Sequence, residues 1–252
     1  CMRTGAGLTQ IACRESIVPI LQTLVPCATC IPLPEQDGKL TAKAAEKLRT
    51  ALQGADAAAV GCGLGQQEDN LPVLDVLAEA TCPVLWDADA LNLLAGQNAP
   101  ARKPDDLLTP HPGEAATLLH TTPALVQADR FAALAGLRRL APSVWILKGA
   151  GTLIGTAGQP VTIAPYAEPN LAVGGSGDVL SGCLGTLMAQ TAAHPSEGCE
   201  SSSFLAACMG VYLHARAGTL LRDVFPQRGN SATEIAEMLP RARIGEAAGD
   251  GA

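Results

Sequence analysis

A glycine-rich turn runs straight into an apolar helix in the stretch Val173-Gly174-Gly175-Ser176-Gly177-Asp178-Val179-Leu180-Ser181-Gly182. Without side chains in the way, consecutive backbone N–H groups can converge on an anion, and the helix adds the positive end of its dipole. We therefore predict an anion hole formed by Gly174, Gly175, Ser176 and Gly177. Asp178 falls in the first helical turn, either as a capping charge or as the base that deprotonates a hydroxyl during phosphoryl transfer. Polar residues at other strand ends favour the catalytic role.

Short apolar runs alternate with helical patterns over the rest of the chain. Four of these runs stop at glycine or polar residues, at positions 57–60, 83–86, 107–108 and 143–147. Parallel strands buried on both faces have this appearance, and the helices between them imply right-handed crossovers. The pattern predicts an α/β fold whose mostly parallel sheet is flanked by helices on both faces.

Spacing and punctuation predict the remaining elements. Residues 152–156 and 161–164 are expected to form a hairpin around Gly158, and residues 1–3 to end a helix before a strand at 8–12. The predicted helices cover residues 40–52, 71–78, 114–119, 126–140, 178–193 and 204–222. One domain is expected over residues 1–242, followed by a flexible tail over residues 243–252.

The composition excludes several classes of protein. The 252 residues carry a formal net charge of −7 with only 17 Lys and Arg, which argues against binding nucleic acid by phosphate neutralisation. No apolar stretch is expected to reach the ~18 residues of a membrane span. The N-terminus lacks the basic and then apolar layout of a signal peptide. We therefore expect a cytoplasmic protein that binds neither nucleic acid nor membranes.

The cysteines predict no disulfide framework. Nine are present, an odd number scattered along the chain. Cys27 and Cys30 have the CxxC spacing, but no second such pair follows, and the four histidines do not complete a ligand cluster with them. We expect a pair of partly buried thiols, and we assign no metal ligands.

Three further segments lie at the ends of predicted strands. The sequence Lys148-Gly149-Ala150-Gly151-Thr152 either binds nucleotide phosphates or forms an ordinary glycine turn whose lysine reaches solvent. The loop Thr109-Pro110-His111-Pro112-Gly113-Glu114 either presents His111 to a ligand or is a rigid connection capped by Glu114. Gly61-Cys62-Gly63-Leu64-Gly65 is by itself a weak phosphate-loop signal. Asp87 and Asp89 either reach a magnesium ion or cap the next helix.

Together these segments resemble the ribokinase-like family of NAD(P)H-hydrate dehydratases, the repair enzymes of nicotinamide nucleotides. Five motifs occur in the family's order: residues 61–65, Asp87-Ala88-Asp89-Ala90-Leu91-Asn92, residues 109–114, residues 147–152 and residues 174–182. The resemblance extends upstream to Arg3-Thr4-Gly5-Ala6-Gly7-Leu8 and downstream to the helix that contains His214. It also implies that the family's N-terminal strand and most of its first helix lie before Cys1. The family's Thr-Gly-Asn stretch is replaced here by Pro165-Tyr166-Ala167-Glu168-Pro169-Asn170, and Val173 stands where the family usually has Thr or Ser.

The resemblance implies a role for each segment. The expected reaction is the ADP- or ATP-dependent dehydration of the (S)-hydrate of NADH or NADPH, through phosphorylation of the C6 hydroxyl and loss of phosphate. Asp178 is expected to take the hydroxyl proton. Gly63, His111 and Asp178 are expected to contact the hydrate. The adenine nucleotide is expected on Gly177 and on the segment Lys148, Gly149, Ala150, Gly151 and Thr152, with Mg²⁺ on its phosphates.

Two other functions remain open from the sequence. A ribokinase-like kinase for a vitamin precursor or sugar would use the same anion hole and Asp178 but release a phosphorylated product. A non-catalytic nucleotide-binding remnant would bind nucleotide without turnover. For the dehydratase, the expected partners are the hydrates NADHX and NADPHX, further copies of the chain in a homo-oligomer, and an NAD(P)H-hydrate epimerase domain or protein.

Overall fold

A mixed six-stranded sheet forms the centre of the computed structural model, which describes residues 1–96, 102–194 and 201–243. Numbered in chain order over the whole molecule, its strands are β5 (Ala58–Val60), β6 (Val84–Trp86), β7 (Leu107–Leu108), β8 (Val144–Leu147), β9 (Leu153–Gly155) and β10 (Thr162–Ile163). They lie side by side in the order β10-β9-β8-β7-β6-β5. Strands β5 to β8 are parallel to one another, and β9 and β10 each pair antiparallel with the preceding strand at one edge.

Strand residues alternate between two cores, one on each face of the sheet. Trp86 and Trp145 pack into one core with the helices over residues 42–52, 71–78, 88–95, 112–118 and 130–140. Leu85 and Ile146 pack into the other core with the helices over residues 176–193, 202–220 and 232–242. This alternation follows from the two-residue period of a strand. The predicted α/β architecture, a mostly parallel sheet with helices on both faces, is confirmed. The predicted hairpin around Gly158 is confirmed as β9 and β10.

Ten α-helices lie in the described part of the chain. They are α1 (Val18–Leu24), α2 (Ala42–Leu52), α3 (Leu71–Ala78), α4 (Ala88–Ala95), α5 (Pro112–Leu118), α6 (Pro123–Ala128), α7 (Arg130–Leu140), α8 (Ser176–Ala193), α9 (Ser202–Leu220) and α10 (Ala232–Ala242). The single helix predicted over residues 126–140 is wrong. Asp129 leaves the helical conformation and its side chain accepts from Ala132 N at 2.8 Å, so it ends α6 and caps α7.

The N-terminal segment differs in detail from the prediction. Residues Met2–Thr4 form a 3₁₀ turn rather than the end of an α-helix, because Gly5 adopts a left-handed conformation and returns its N–H to Met2. The predicted strand lies two residues later, as β1 (Gln10–Arg14), and pairs in parallel with the unpredicted β2 (Thr29–Leu33) in a separate two-stranded sheet. A short hairpin of β3 (Glu35–Gln36) and β4 (Lys39–Leu40) follows.

The predicted tail lies outside the described residues except for Arg243. Its guanidinium donates to the Thr4 carbonyl and, at 3.1 Å, to Gln190 Oε1. Arg243 therefore lies against the N-terminal turn, and the flexibility of the tail stays a prediction.

The expectation that no apolar stretch reaches the length of a membrane span is wrong for one segment. Residues Ser202–Asp223 are long and apolar enough to cross a membrane by length and composition. The apolar residues of this segment are largely turned inward: Ala206, Ala207 and Val211 are buried against α8 and the sheet. Packing between two layers of helix and sheet therefore accounts for its apolar character.

Gly61 lies against the backbone of Asp87. It adopts φ +121°, and a Cβ there would lie 1.7 Å from the Asp87 carbonyl oxygen. Gly61→Ala is therefore expected to destabilise the fold by about 2–5 kcal/mol through backbone strain and overpacking, measured by urea unfolding. Gly54→Ala, which meets nothing within 4 Å, is the matched control and should be nearly neutral. Equal unfolding midpoints for the two variants would contradict this account.

Candidate active site

The carboxyl ends of the parallel strands bring the predicted segments to one edge of the sheet. Residues 61–65 follow β5, Asp87 follows β6, residues 109–114 follow β7 and Lys148 follows β8. In open α/β sheets this edge is where ligands bind. The N-terminus of α8 lies at the same edge, because Ser181 in its second turn donates to Asp87 and a Cβ at Gly177 in its first turn would lie 3.7 Å from Lys148 Nζ.

Asp87 is the buried hub of this edge. Its side chain is almost fully buried, and one carboxylate oxygen accepts from Lys148 Nζ at 2.6 Å and from Ala88 N at 2.9 Å. The other oxygen accepts from Ser181 Oγ at 2.6 Å. The predicted capping role of Asp87 is confirmed, and sequence reasoning missed the ion pair. One carboxylate thereby links β6, β8 and α8.

Lys148 lies between acidic side chains and the helix N-terminus. Its ammonium is 3.8 Å from Glu114 Oε2, in addition to the Asp87 pair. Burial raises the pKa of Glu114 above its usual range, although the neighbouring Lys148 opposes this rise. A Cβ at Gly177 would lie 3.7 Å from Lys148 Nζ. The structure therefore brings together Lys148 and Gly177, two of the predicted nucleotide contacts.

The segment from Lys148 to Thr152 is a tight turn held from behind by Arg130. Gly149 and Gly151 both have positive φ, and Thr152 Oγ1 donates to the Gly149 carbonyl at 2.9 Å. The Arg130 guanidinium donates to the carbonyls of Leu147 at 3.0 Å, Gly151 at 3.1 Å and Ala150. Sequence reasoning missed Arg130. Its position in the sequence was a signal, because a cation in the first turn of a helix is unfavourable next to the positive end of the helix dipole. A residue in that position is expected to make a compensating tertiary contact.

The predicted anion hole opens the helix α8. Gly174 and Gly175 are exposed, whereas Ser176 is buried. Gly175 has φ +82°, and a Cβ there would come within 3.1 Å of the Ala232 side chain. Glycine at this position therefore permits both the turn and the close approach of α10.

His214, on α9, contacts Ser176 of the predicted anion hole. Its Nε2 and Ser176 Oγ are 3.2 Å apart. Burial, together with the nearby charge of Lys148, lowers the pKa of His214 to about 4, although a hydrogen bond with the Ser176 backbone opposes this fall. The ring is therefore neutral at neutral pH. No role was assigned to His214 from the sequence, where nothing distinguished it from a histidine on any apolar helix.

Asp178 is exposed and lies close to Cys62, in the loop of residues 61–65. The side chain of Ser181 is also a neighbour of the Cys62 thiol. Burial of the sulfur, followed by the charges of Asp87 and Asp178, raises the pKa of Cys62 to about 12. Gly63, the next residue, is exposed with φ +66°. The structure therefore places the loop of Gly63 beside Asp178, as the prediction of a shared hydrate site requires.

His111 acts as the cap of its own helix. Its Nδ1 accepts from Gly113 N at 2.9 Å and from Glu114 N at 3.2 Å, while Nε2 lies 3.2 Å from Glu114 Oε1. Just over half of the His111 side chain is exposed. Glu114 Oε2 accepts from His111 N at 2.7 Å, so the predicted cap by Glu114 is confirmed. Contact of His111 with the hydrate stays a prediction.

The metal interpretation of the two aspartates does not fit the geometry. Both oxygens of Asp87 are taken, and Asp89 accepts from Gly65 N at 2.9 Å and Gln66 Nε2 at 3.1 Å. Within residues 1–96, 102–194 and 201–243, no group of three or more His, Cys, Asp or Glu side chains is arranged to hold a metal ion. In the same residues, Cys27 and Cys30 are free thiols, one exposed and one partly buried.

Comparison with known proteins identifies the family. The family model described as NAD(P)H-hydrate dehydratase matches residues 1–241. The chain belongs to this family. It is 36% identical over 242 residues to the bifunctional NAD(P)H-hydrate repair enzyme Nnr of Coxiella burnetii, covering 96% of the chain and 45% of that relative. It is 38% identical over 198 residues to the ADP-dependent (S)-NAD(P)H-hydrate dehydratase of Neisseria meningitidis, covering 76% of the chain and 63% of that relative.

Solved structures of the dehydratase family have the same fold. The ADP/ATP-dependent NAD(P)H-hydrate dehydratase of Bacillus subtilis, co-crystallised with ATP and Mg²⁺ and soaked with CoA, aligns with a TM-score of 0.76 and 27% identity. The alignment covers 96% of this chain and 82% of that one. A ribokinase-like superfamily protein of Enterococcus faecalis aligns with a TM-score of 0.73. The predicted ribokinase-like fold is confirmed. The chain spans a little under half the length of the bifunctional relatives it matches.

Burial of His214 in this dehydratase fold generates the second prediction. Unfolded histidine takes up a proton near pH 6.5, whereas folded His214 does so only near pH 4. The free energy of unfolding should therefore fall as the pH drops below about 6.5, by ~2 kcal/mol from this residue between pH 7.5 and pH 5. Urea unfolding at both pH values measures this loss. His214→Gln, which keeps a partner for Ser176, should lose less stability over the same interval; an identical loss would contradict the assignment.

Proposed function

We propose that this chain catalyses the nucleotide-dependent dehydration of the (S)-hydrate of NADH or NADPH. The observation that carries the proposal is the position of Asp178, an exposed carboxylate in the first turn of α8, beside the glycine turn whose Gly177 lies against the Lys148 ammonium. A base, a set of backbone donors and a cation at one point are the parts that phosphoryl transfer requires. The names of the relatives from Neisseria meningitidis and Bacillus subtilis support this substrate class.

The proposed reaction has two steps. First, the C6 hydroxyl oxygen of the hydrate attacks the terminal phosphorus of the nucleotide, the bond to the leaving nucleotide breaks, and Asp178 accepts the hydroxyl proton. Second, the C6–O bond breaks, the ring nitrogen donates its electron pair to C6, and phosphate leaves. Loss of a proton from C5 then restores the dihydropyridine. Phosphorylation is needed because hydroxide is a poor leaving group and phosphate is a good one.

The chain's own residues divide these tasks in the proposal. Backbone N–H groups of residues 174–177 receive the transferring phosphoryl group, because their glycines leave the approach open. Lys148, oriented by Asp87, and the turn that ends at Thr152 hold the nucleotide phosphates. Gly63 and His111 border the hydrate.

Magnesium fits this arrangement as a companion of the nucleotide. Mg²⁺ is commonly held by one or two carboxylates together with substrate phosphates rather than by a protein cage. Asp178 is an exposed carboxylate at the predicted phosphate position, which suits such a shared site. When bound, Mg²⁺ would neutralise charge on the phosphates.

The same proposal extends to the surroundings of the enzyme. The relatives named bifunctional suggest an epimerase domain or protein as the partner that supplies the (S)-hydrate. A homo-oligomer in the cytoplasm, with residues 1–242 as the catalytic domain, remains the expectation from the sequence.

One assay separates the proposal from its alternatives. The chain is mixed with NADHX, Mg²⁺ and either ADP or ATP, and the absorbance of reduced nicotinamide is followed. Recovery of that absorbance with phosphate release supports the dehydratase. Nucleotide consumption with a vitamin precursor or sugar, and none with NADHX, would indicate a small-molecule kinase. A thermal shift with nucleotide but no turnover would indicate a binding remnant.

Asp178→Asn is the third prediction. The amide keeps the size of the side chain but cannot accept a proton, so kcat should fall by ~10²–10⁴-fold while nucleotide affinity stays within a few-fold. Asp56→Asn is the matched control, because Asp56 is exposed and precedes β5 at the opposite edge of the sheet. Retention of more than about a tenth of kcat in Asp178→Asn would return Asp178 to a capping role.

Lys148→Met is the fourth prediction. It should raise the KM for nucleotide at least about tenfold, leave the KM for the hydrate within about twofold, and destabilise the fold by ~3–5 kcal/mol because Asp87 loses its partner. Steady-state kinetics and urea unfolding measure the three effects.

A double variant separates binding from folding. Lys148→Met combined with Asp87→Asn removes both charges and should recover much of the lost stability, but not the nucleotide affinity. Recovery of normal nucleotide affinity in the double variant would show that Lys148 serves only to neutralise Asp87.

A further inference from the structure

A polar cleft lies between the β3–β4 hairpin and the loop of residues 61–65. Its volume is about 430 Å³, and its walls include Arg14, Asp37, Lys39, Gly63, Gln67 and Asp69. Small-molecule sites in proteins commonly occupy ~300–1,000 Å³. The cleft therefore has room for part of a nucleotide rather than for a single ion. None of the segments assigned to the adenine nucleotide, residues 148–152 and Gly177, lines it.

The cleft is continuous with the proposed reaction centre. Gly63 is one of its walls, and the adjacent Cys62 is a neighbour of Asp178. If the damaged ring lies at Asp178, the rest of the hydrate passes Gly63 and enters the cleft. The hydrated dinucleotide is long, because a pyrophosphate and a second nucleoside follow the damaged ring.

The two cations in the cleft differ in freedom. The Arg14 guanidinium donates to the Gly38 carbonyl at 2.6 Å and to Asn70 Oδ1 at 3.1 Å, which holds it in place. It also lies 3.9 Å from Asp69 Oδ2. Lys39 is exposed, and its ammonium has no ion-pair partner among the residues that the structure describes. Lys39 is therefore the cation that remains available to a phosphate.

The two carboxylates suit the sugar part of a nucleotide. Asp69 accepts from Leu40 N at 3.3 Å, which attaches it to the hairpin, and Asp37 lies at the hairpin tip with φ +51°. Ribose hydroxyls donate to carboxylates, whereas phosphates require donors. The wall thus combines groups for both halves of a ribose phosphate.

We propose that this cleft binds the adenosine half of the dinucleotide hydrate, with Lys39 on one of its phosphates. The inference rests on the proposed function and adds the subsite and the residues that recognise the far end of the substrate. The phosphate is either the pyrophosphate, which both hydrates carry, or the 2′-phosphate, which only NADPHX carries.

The test compares two charge reversals on neighbouring elements. Wild type, Lys39→Glu and Lys43→Glu are titrated with NAD⁺ and NADP⁺ by calorimetry, and their KM values for NADHX, NADPHX and the adenine nucleotide are measured. Lys43 is exposed on α2 outside the cleft, so it reports the general effect of charge. Lys39→Glu should weaken dinucleotide binding about tenfold relative to Lys43→Glu, with the KM for adenine nucleotide unchanged.

Each outcome decides the proposal. Equal weakening of NAD⁺ and NADP⁺ supports a pyrophosphate contact, and weakening of NADP⁺ alone supports a 2′-phosphate contact. Equal effects of the two variants, no effect of Lys39→Glu, or no binding of either dinucleotide by wild type would overturn it. If wild type binds dinucleotide through Lys39 but does not turn over either hydrate, the subsite stands and the proposed reaction falls.

Discussion

The ion pair between Asp87 and Lys148 is the interaction on which the functional edge of this fold depends. A buried charge is costly unless it is paired and hydrogen-bonded. Asp87 meets this requirement with three donors that come from three different elements: Lys148 after β8, Ser181 on α8, and Ala88 at the start of α4. Two neighbouring loops and one helix terminus cannot separate without exposing an unpaired carboxylate to an apolar interior. The need to keep this buried charge paired therefore holds the two loops and the helix in fixed positions at the site.

A second layer of residues keeps the reactive surface in shape without facing the substrate. Arg130 holds the turn at residues 148–151 through backbone carbonyls, and His214 holds Ser176 from inside the fold. Burial lowers the pKa of both side chains, which disfavours their charged forms. The neutral His214 is compatible with the nearby Lys148, because a second cation there would repel it.

The exposed groups divide between chemistry and recognition. Asp178 and the glycines of the turn face solvent, where a phosphoryl group can be handed from one ligand to another. A small-molecule kinase and the proposed dehydratase would use this part in the same way. Only the second ligand distinguishes them, and its surroundings are the loop of Gly63, the His111 loop and the polar cleft beyond. Dehydration is thus a kinase reaction whose product loses the new phosphate.

The sequence by itself determined the sheet, its flanking helices and the glycine turn before Asp178, because two-residue and helical periodicities and glycine positions are local properties. It also placed Lys148 and Gly177 at strand and helix ends that parallel strands bring together. Only the tertiary structure decided that Lys148 pairs with Asp87, that Arg130 and His214 support the loops, and that β1 and β2 form a separate sheet. These features join residues about 20 to 60 positions apart, so no local pattern records them. The break at Asp129 escaped prediction because a side-chain cap outweighed a continuous helical pattern.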